Sequence, residues 1–195
     1  MKKIGVLNLQ GAVSEHIDMI NHVSGTQGVP VRHPKDLIDL AGLIIPGGES
    51  TAISRLIQEN QLFEPIKAFS DAGKGIFGTC AGLVLCSSKT THSKDLDKSI
   101  ILLNLIDIVT ERNGFGRQID SFETHLDIEK IGAHFPAIFI RAPYIVQYSK
   151  SVTPLAYIDN RCVMAESENI MVCSFHPELT QDRRIIKYFI NNLCN

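Results

Sequence analysis

The chain has 195 residues, of which 44% are hydrophobic and 21% are charged, and its net charge is −2 with histidine neutral. These values are typical of a globular domain that buries a large core without disulfide or metal cross-links. We therefore predict a single domain over residues 1–195. Lysine and arginine are scattered along the chain, which argues against a nucleic-acid-binding surface and a polybasic membrane surface.

The cysteines do not follow a disulfide or zinc-binding pattern. There are five of them, and no C-x-x-C pair occurs, so we expect reduced thiols and a cytoplasmic location. The apolar run at residues 4–7 is too short for a signal peptide, and no apolar stretch reaches the roughly 18 residues that cross a membrane. We predict instead that residues 4–7 form the first buried strand.

Apolar runs and helical periodicity alternate through the first half of the chain. The predicted strands are residues 4–7, 29–31, 43–45 and 75–79. The predicted helices lie at residues 13–20, 53–57, 63–72 and from 81 onwards. Ser50 or Thr51 is expected to cap the second helix. This alternation predicts an α/β fold with a mostly parallel central sheet and helices on both faces.

The chain changes character after about residue 100. Short β-like runs occur at residues 105–109, 119–122, 137–140, 155–158 and 171–173. We expect some of them to be antiparallel strands added at an edge of the sheet. The polar segment at residues 87–99 is predicted to be an exposed loop, and residues 182–193 an amphipathic helix.

The motif Gly78-Thr79-Cys80-Ala81-Gly82 stands where a predicted strand turns into a helix. It is the cysteine counterpart of G-x-S-x-G, in which glycines permit a sharp turn that projects the nucleophile from the sheet. The N-terminus of the following helix favours a thiolate at Cys80. The alternative is a buried structural cysteine, since free cysteines are often buried. The other four cysteines lack this context and are predicted to be structural.

His176 and Glu178 follow the predicted strand at residues 171–173, on either side of Pro177. Positions i and i+2 of an extended chain point to the same side, so both side chains can face one cleft. His176 would exchange a proton with the thiol, and Glu178 would orient the imidazole. The alternative is a surface turn without a catalytic role.

The motif Pro46-Gly47-Gly48-Glu49-Ser50 follows another predicted strand and opens a helix. Its glycines let backbone amides approach a ligand, so Gly47 and Gly48, with the amide of Ala81, are predicted to stabilise an oxyanion. An ordinary glycine-rich turn and a phosphate-binding loop are the alternatives. Neither G-x-x-x-x-G-K-[ST] nor G-x-G-x-x-G occurs.

Together, the P-G-G, G-x-C-x-G and late H-P-E motifs resemble the class I glutamine amidotransferases, which have a flavodoxin-like three-layer fold. Further stretches are similar to the PdxT/SNO family, the glutaminase subunits of pyridoxal 5′-phosphate synthase. These stretches include Leu9-Gln10-Gly11-Ala12-Val13, Phe115-Gly116-Arg117-Gln118, Asp120-Ser121-Phe122-Glu123 and Phe139-Ile140-Arg141-Ala142-Pro143. The resemblance runs from residue 4 to residue 180. Four positions depart from the family pattern: Asn8, Ser14, Gly114 and Tyr144.

This resemblance implies a glutaminase that forms L-glutamate and ammonia through a thioester, with no metal or organic cofactor. The implied triad is Cys80, His176 and Glu178. The implied glutamine contacts are Gly48, Glu49, Ser50, Arg112, Ile140 and Arg141. An arginine can bind the α-carboxylate through two hydrogen bonds, and a carboxylate suits the α-ammonium. The residues alone favour a solvated charge for Arg112 and a structural ion pair for Arg141.

The resemblance also implies a protein partner. In the family, a (β/α)8-barrel synthase subunit receives the ammonia, in an assembly of twelve barrel and twelve glutaminase subunits. Pyridoxal phosphate is then a product of the complex. We expect the isolated chain to be a poor glutaminase, because partner docking would reorient the peptide between Gln10 and Gly11 to complete the oxyanion site.

Three other functions are compatible with parts of the sequence. The chain could serve another synthase, such as imidazole glycerol phosphate synthase, although the stretches at residues 115–123 and 139–143 speak against this. It could be a cysteine hydrolase or peptidase that acts on a different amide. It could also be an inactive scaffold, against which the intact triad argues.

Overall fold

A computed structural model describes residues 1–91, 100–112, 114 and 121–194. Part of the predicted loop at residues 87–99, part of the predicted strand at residues 119–122 and the motif residues 115–118 lie outside this description. Within it, no helix is long and apolar enough to cross a membrane.

The strands and helices have the following bounds. The strands are β1 (Lys2–Leu7), β2 (Thr26–Val31), β3 (Gly42–Ile45), β4 (Gly75–Thr79), β5 (Ser87–Thr90), β6 (Ile106–Glu111), β7 (Ser121–Ile128), β8 (Gly132–Ile140), β9 (Tyr144–Tyr148), β10 (Thr153–Ile158), β11 (Arg161–Ser167) and β12 (Ile170–Cys173). The helices are α1 (Val13–Asn21), α2 (Ser50–Glu59), α3 (Phe63–Asp71), α4 (Ala81–Cys86) and α5 (Arg184–Asn192).

The central sheet has the strand order β2-β1-β3-β4-β12-β11-β9-β6-β5, and β10 pairs with β11 at its side. Neighbours from β2 to β12 are parallel, and β12, β11, β9 and β6 pair antiparallel in turn. β7 and β8 form a separate antiparallel hairpin. The predicted α/β fold, with a mostly parallel sheet and antiparallel strands beyond it, is confirmed.

Both faces of the sheet are covered by apolar side chains. In β3, Ile44 packs into a cluster with residues of α1 and α5, whereas Leu43 and Ile45 pack into a second cluster with residues of α2, α3 and α4. Alternate residues of a strand point to opposite faces. A continuous apolar run is therefore the pattern that a strand between two helical layers requires.

The structure corrects several details of the sequence-based prediction. Helix α2 is capped by Glu49 rather than by Ser50 or Thr51, because the Glu49 carboxylate accepts hydrogen bonds from the amides of Thr51 at 3.0 Å and Ala52 at 2.7 Å. A carboxylate at a helix N-terminus is also favoured by the helix dipole. The strands β5, β9 and β11 were not predicted.

The predicted exposed loop at residues 87–99 is wrong for its first four residues, which form β5. Ser87 is fully buried, and its hydroxyl donates to the carbonyl oxygen of Val84 at 2.6 Å. β5 pairs with β6 at the edge of the sheet, and its burial is uneven, because Lys89 is exposed whereas Ser87 is not. The polar composition of this segment therefore did not distinguish an edge strand from an exposed loop. Residues 92–99 lie outside the described part of the chain.

The topology brings the three motifs to one edge of the sheet. β3, β4 and β12 are adjacent parallel strands, and the segments with Gly47, Cys80 and His176 follow their carboxyl ends. In open α/β sheets, ligands bind outside the carboxyl ends of the strands. Residues that are far apart in sequence therefore meet in one region of the surface.

We predict that Phe189→Ala will lower the free energy of unfolding by about 3–5 kcal/mol. Phe189 is fully buried, and its ring centroid is 5.6 Å from that of Phe77 in β4, so the truncation leaves a cavity between α5 and the sheet. Urea unfolding would measure the change. Lys187→Ala, at an exposed position of the same helix, should alter stability by less than about 0.5 kcal/mol, and equal effects of the two variants would contradict the prediction.

Candidate active site

Cys80 occupies a strained turn between β4 and α4. Its backbone angles are φ 50° and ψ −105°, a region that residues with a side chain rarely adopt and that clusters at functional sites. A Cβ added at Gly82 would overlap the carbonyl oxygen of Ile45, and one added at Gly78 would lie 2.6 Å from the carbonyl oxygen of Gly82. The two glycines thus allow the close packing that the turn needs.

The structure brings Cys80, His176 and Glu178 together. The His176 ring and the Cys80 side chain line the same cleft, and the proximity of Cys80 helps to raise the pKa of the imidazole. The Nδ1 atom of His176 is 2.7 Å from Oε1 of Glu178. All three side chains are buried. The backbone amide of His176 donates to the carbonyl oxygen of Ile138 at 2.8 Å, which ties this segment to β8.

The electrostatics of this chain favour a charged pair of His176 and Glu178. Burial opposes the imidazolium, but the hydrogen bonds to Cys80 and Glu178 outweigh it and raise the pKa of His176 to about 10. Burial likewise raises the pKa of Glu178, whereas the neighbouring His16 and the hydrogen bond from His176 lower it, and the net shift is downwards. The imidazole is therefore available to donate a proton at neutral pH.

A cleft with a volume of about 450 Å³ opens above Cys80 and His176, a size that suits a small molecule. The six residues predicted to contact glutamine all line it: Gly48, Glu49, Ser50, Arg112, Ile140 and Arg141. The Cys80 thiol lies 3.8 Å from the carbonyl oxygen of Ile140. Val84 and Pro143, which were not predicted to belong to the site, also line the cleft.

Arg112 and Glu49 place opposite charges at this cleft. A guanidinium nitrogen of Arg112 is 3.5 Å from Oε1 of Glu49. Burial opposes the charge of Glu49, but the amides of Thr51 and Ala52, with Arg112, hold the pKa of its carboxyl below the ordinary value. Arg112 does not project freely into solvent, because its side chain is only 28% exposed. A positive and a negative group side by side complement a zwitterionic amino acid.

The residues predicted for the oxyanion site lie next to one another. A Cβ added at Gly47 would be 2.7 Å from Cε1 of His176 and 3.2 Å from Cβ of Cys80, and one added at Gly11 would overlap the carbonyl oxygen of Gly47. The side-chain oxygen of Gln10 accepts a hydrogen bond from the amide of Glu49 at 2.8 Å. Gly48 and Ala81 line the cleft itself.

Two positions that depart from the family pattern are in contact. A Cβ added at Gly114 would overlap the ring of Tyr144, so the tyrosine requires a glycine opposite it. The Tyr144 hydroxyl donates to Oε2 of Glu111 at 3.1 Å, and the guanidinium of Arg161 lies 5.3 Å from the ring centroid. Because Glu111 directly precedes Arg112, the contact with Tyr144 ties the ring to the segment that carries Arg112.

A further residue beside the triad was missed. His16 is fully buried in α1, and its Nε2 atom is 3.5 Å from Oε2 of Glu178. Its helical position was the available signal, because His16 shares a helix face with Val13 and Ile20 at the i, i+3 and i+7 spacing. No carboxylate close to His16 in sequence pointed to this contact, because Glu178 is 162 residues further along the chain.

The model of the SNO glutamine amidotransferase family matches residues 6–195 of the chain. The chain belongs to this family. Pyridoxal 5′-phosphate synthase subunit PdxT of Listeria monocytogenes serovar 1/2a is 50% identical over 194 residues, which cover 99% of this chain and 100% of the relative. The PdxT subunit of Oceanobacillus iheyensis is 50% identical over 193 residues, covering 99% of this chain and 94% of the relative.

A solved structure supports the same assignment. A crystal structure described as a glutamine amidotransferase superimposes with a TM-score of 0.89 and 35% sequence identity, covering 96% of each chain. The fold of this SNO family member is therefore shared across nearly its whole length with an amidotransferase of known structure.

We predict that Glu178→Gln will lower the pKa of His176 from about 10 towards its ordinary value of about 6.5, because the neutral amide no longer favours the imidazolium. NMR titration of the ring signals would measure this. In the wild type the ring should stay protonated through the neutral range. Glu15→Gln, which removes an exposed carboxylate, should leave the His176 titration unchanged, and the same midpoint in Glu178→Gln would contradict the prediction.

Proposed function

We propose that this chain is the glutaminase subunit of a pyridoxal 5′-phosphate synthase and that residues 1–195 form one amidotransferase domain. The observation that carries the proposal is the chain of contacts from Cys80 to His176 to Glu178 at the base of a cleft of small-molecule size. The PdxT relatives, about half identical over nearly the full length, support this role over service to another synthase.

Acylation begins at the sulfur of Cys80. The thiolate attacks the side-chain amide carbon of glutamine, and the negative charge that develops on the amide oxygen is stabilised by backbone amides of the Gly47-Gly48 segment and of Ala81. The His176 imidazolium donates a proton to the departing nitrogen, so ammonia leaves and a γ-glutamyl thioester remains on Cys80. Glu178 stabilises the charged ring through its 2.7 Å contact with Nδ1.

Deacylation uses the same groups in reverse order. His176, now neutral, takes a proton from a water molecule, which attacks the thioester carbon. The carbon–sulfur bond breaks, glutamate leaves, and the Cys80 thiolate and the His176 imidazolium are restored. No step in this sequence requires a group outside the chain, the substrate and water.

Glutamine recognition rests on the charged pair at the cleft. Arg112 binds the α-carboxylate, and Glu49 with the backbone carbonyl of Ile140 receives the α-ammonium. Arg141 and Ser50 complete the wall of the cleft. Binding would replace the contact between Arg112 and Glu49 with contacts of each to the substrate, so neither charge is left unpaired.

The proposed partner is a (β/α)8-barrel synthase subunit that receives the ammonia, in an assembly of twelve barrel and twelve glutaminase subunits. The names of the PdxT relatives identify them as synthase subunits, which supports a partner of this kind. We also propose a cytoplasmic location, because all five cysteines are free and buried, as expected of a protein in a reducing compartment.

We predict that Cys80→Ala will lower glutamine-dependent formation of pyridoxal phosphate, measured with the barrel subunit, by about a thousandfold or more. Ammonium chloride in place of glutamine should restore the reaction, because the variant loses only the release of ammonia. Cys86→Ala is the matched control: Cys86 is fully buried in α4, and burial raises the pKa of its thiol to about 12. Unaltered glutamine-dependent activity in Cys80→Ala would rule out Cys80 as the nucleophile.

We predict that the free chain hydrolyses glutamine at least about tenfold more slowly than the complex, as expected when one oxyanion donor is missing. Docking would reorient the peptide between Gln10 and Gly11, which packs against Gly47. Glutamate release would be compared with and without the barrel subunit at a saturating glutamine concentration. Equal rates would show that the oxyanion site is already complete in the free chain.

A further inference from the structure

His16 is a buried titratable residue that the proposed mechanism does not use. Its Nε2 atom lies 3.5 Å from Oε2 of Glu178, the oxygen that is turned away from His176. Among the described residues, this oxygen has no hydrogen-bond partner. A buried carboxylate oxygen without a donor is unfavourable, and the ring of His16 is placed to satisfy it.

The other nitrogen of His16 faces residues 10–12, here called the oxyanion segment because it includes Gln10 and Gly11. Nδ1 is 2.7 Å from the carbonyl oxygen of Ala12, the residue that follows Gln10 and Gly11. A carbonyl oxygen only accepts, so Nδ1 carries the proton in this arrangement. The hydroxyl of Thr79, which is 3.3 Å from Nε2, can then donate to the bare nitrogen. One imidazole therefore contacts both the oxyanion segment and the triad carboxylate.

The charge of the His16 ring decides whether it has one N–H group or two with which to donate hydrogen bonds. Burial lowers the pKa of His16 and outweighs the opposing effects of Glu178, the Ala12 carbonyl and Glu15, while the nearby His176 adds to the lowering. These are the charged and titratable groups that face the ring from α1 and from the segment after β12. A neutral imidazole has a single N–H, so the Ala12 carbonyl and Oε2 of Glu178 compete for one proton.

We propose that His16 is a positioning residue that links the segment at residues 10–12 to Glu178 through the location of its single ring proton. While the Ala12 carbonyl accepts from Nδ1, Oε2 of Glu178 lacks a donor. If the carbonyl turns away, the ring releases its Nδ1 proton to water and takes up a proton from water at Nε2, so its charge does not change. Nε2 then donates to Oε2, and Glu178 is held at both oxygens.

This inference rests on the proposed glutaminase function. It adds a way in which docking of the barrel subunit would control glutaminase activity. The Ala12 carbonyl lies two carbonyls beyond that of the Gln10-Gly11 peptide, and the Gly11 carbonyl between them accepts from the amide of Val13 at 2.9 Å. A reorientation of the Gln10-Gly11 peptide would therefore reach the Ala12 carbonyl through Gly11. A firmly held Glu178 fixes the orientation of His176 towards Cys80. The same movement could thus complete the oxyanion site and align the catalytic base.

Two substitutions separate the contact that Nδ1 of His16 makes from the contact that Nε2 makes. In His16→Asn, the side-chain amide can replace Nδ1 but does not reach Glu178. With the barrel subunit present, kcat for glutamine hydrolysis should fall about tenfold, the effect of losing about 1.4 kcal/mol of hydrogen bonding, while KM stays within about twofold. In His16→Gln, the amide N–H can take the place of Nε2 whatever the state of Ala12. The free chain should then be more active, and stimulation by the barrel subunit should fall about fivefold.

His22→Asn is the matched control. His22 lies in the turn that ends α1 and makes the same contact with the carbonyl four residues earlier, because its Nδ1 is 2.8 Å from the Asp18 oxygen. Its side chain is 57% exposed and does not reach the triad, so kcat and stimulation should match the wild type. If the wild-type complex does not hydrolyse glutamine, the proposed function fails. If it does, and His16→Asn behaves as His22→Asn does, the role of His16 is refuted.

The ring proton can also be located without any substitution, which covers the case of a variant that does not fold. Solid-state NMR of ¹⁵N-histidine-labelled protein distinguishes a protonated Nδ1 from a protonated Nε2. The proton on His16 should lie on Nδ1 in the free chain and on Nε2 in the sedimented complex with the barrel subunit. The same tautomer in both states would overturn the proposal.

Discussion

The parallel pairing of β3, β4 and β12 is the constraint on which the site depends. Cys173 pairs with Thr79, and Ile45 with Gly78, so the three strands end at the same level of the sheet. The residues that follow these ends are Gly47, Cys80 and His176, which leaves little space between them. A Cβ at Gly47 would touch both of the other side chains, and glycine at this position is a consequence of strand register.

Burial is the second determinant of the chemistry. The triad residues are almost completely removed from solvent, and this opposes charge on His176 and on Glu178. The charges persist because each group has a partner of opposite sign or a hydrogen bond, and such contacts are stronger in a low-dielectric environment. The orientation of the imidazole is therefore coupled to whatever contacts Glu178, which is why a residue as distant in sequence as His16 can matter.

The region around Cys80 becomes a cleft because the antiparallel strands beyond β12 and the β7–β8 hairpin add further walls to it. Ile140 and Arg141 at the end of β8, together with Arg112 just after β6, line the cleft with Gly48 and Glu49. The parallel part of the sheet thus carries the groups proposed for bond breaking, and the second half of the chain carries three of the six residues proposed to recognise glutamine, including both arginines.

Much of the site could be predicted from local patterns. Glycine-flanked Cys80 after a strand, and His176 and Glu178 two residues apart, are signals within a few residues of sequence, and the alternating apolar runs predicted the α/β class. The glutamine contacts, and the assignment of Gln10 and Gly11 to the oxyanion site, needed the longer motifs that resemble one family. Within the described residues, every position predicted to contact glutamine lines the cleft.

Other features were decided by the tertiary structure alone. Strand β5 is polar, so its sequence did not distinguish it from a loop. The cap at Glu49, the coupling of Gly114 to Tyr144 and the approach of His16 to Glu178 depend on contacts between segments. The sequence determined which local turns and chemical groups were available, because those depend on neighbouring residues. Only the packed sheet decided which groups share a buried environment, because that depends on strand order and register.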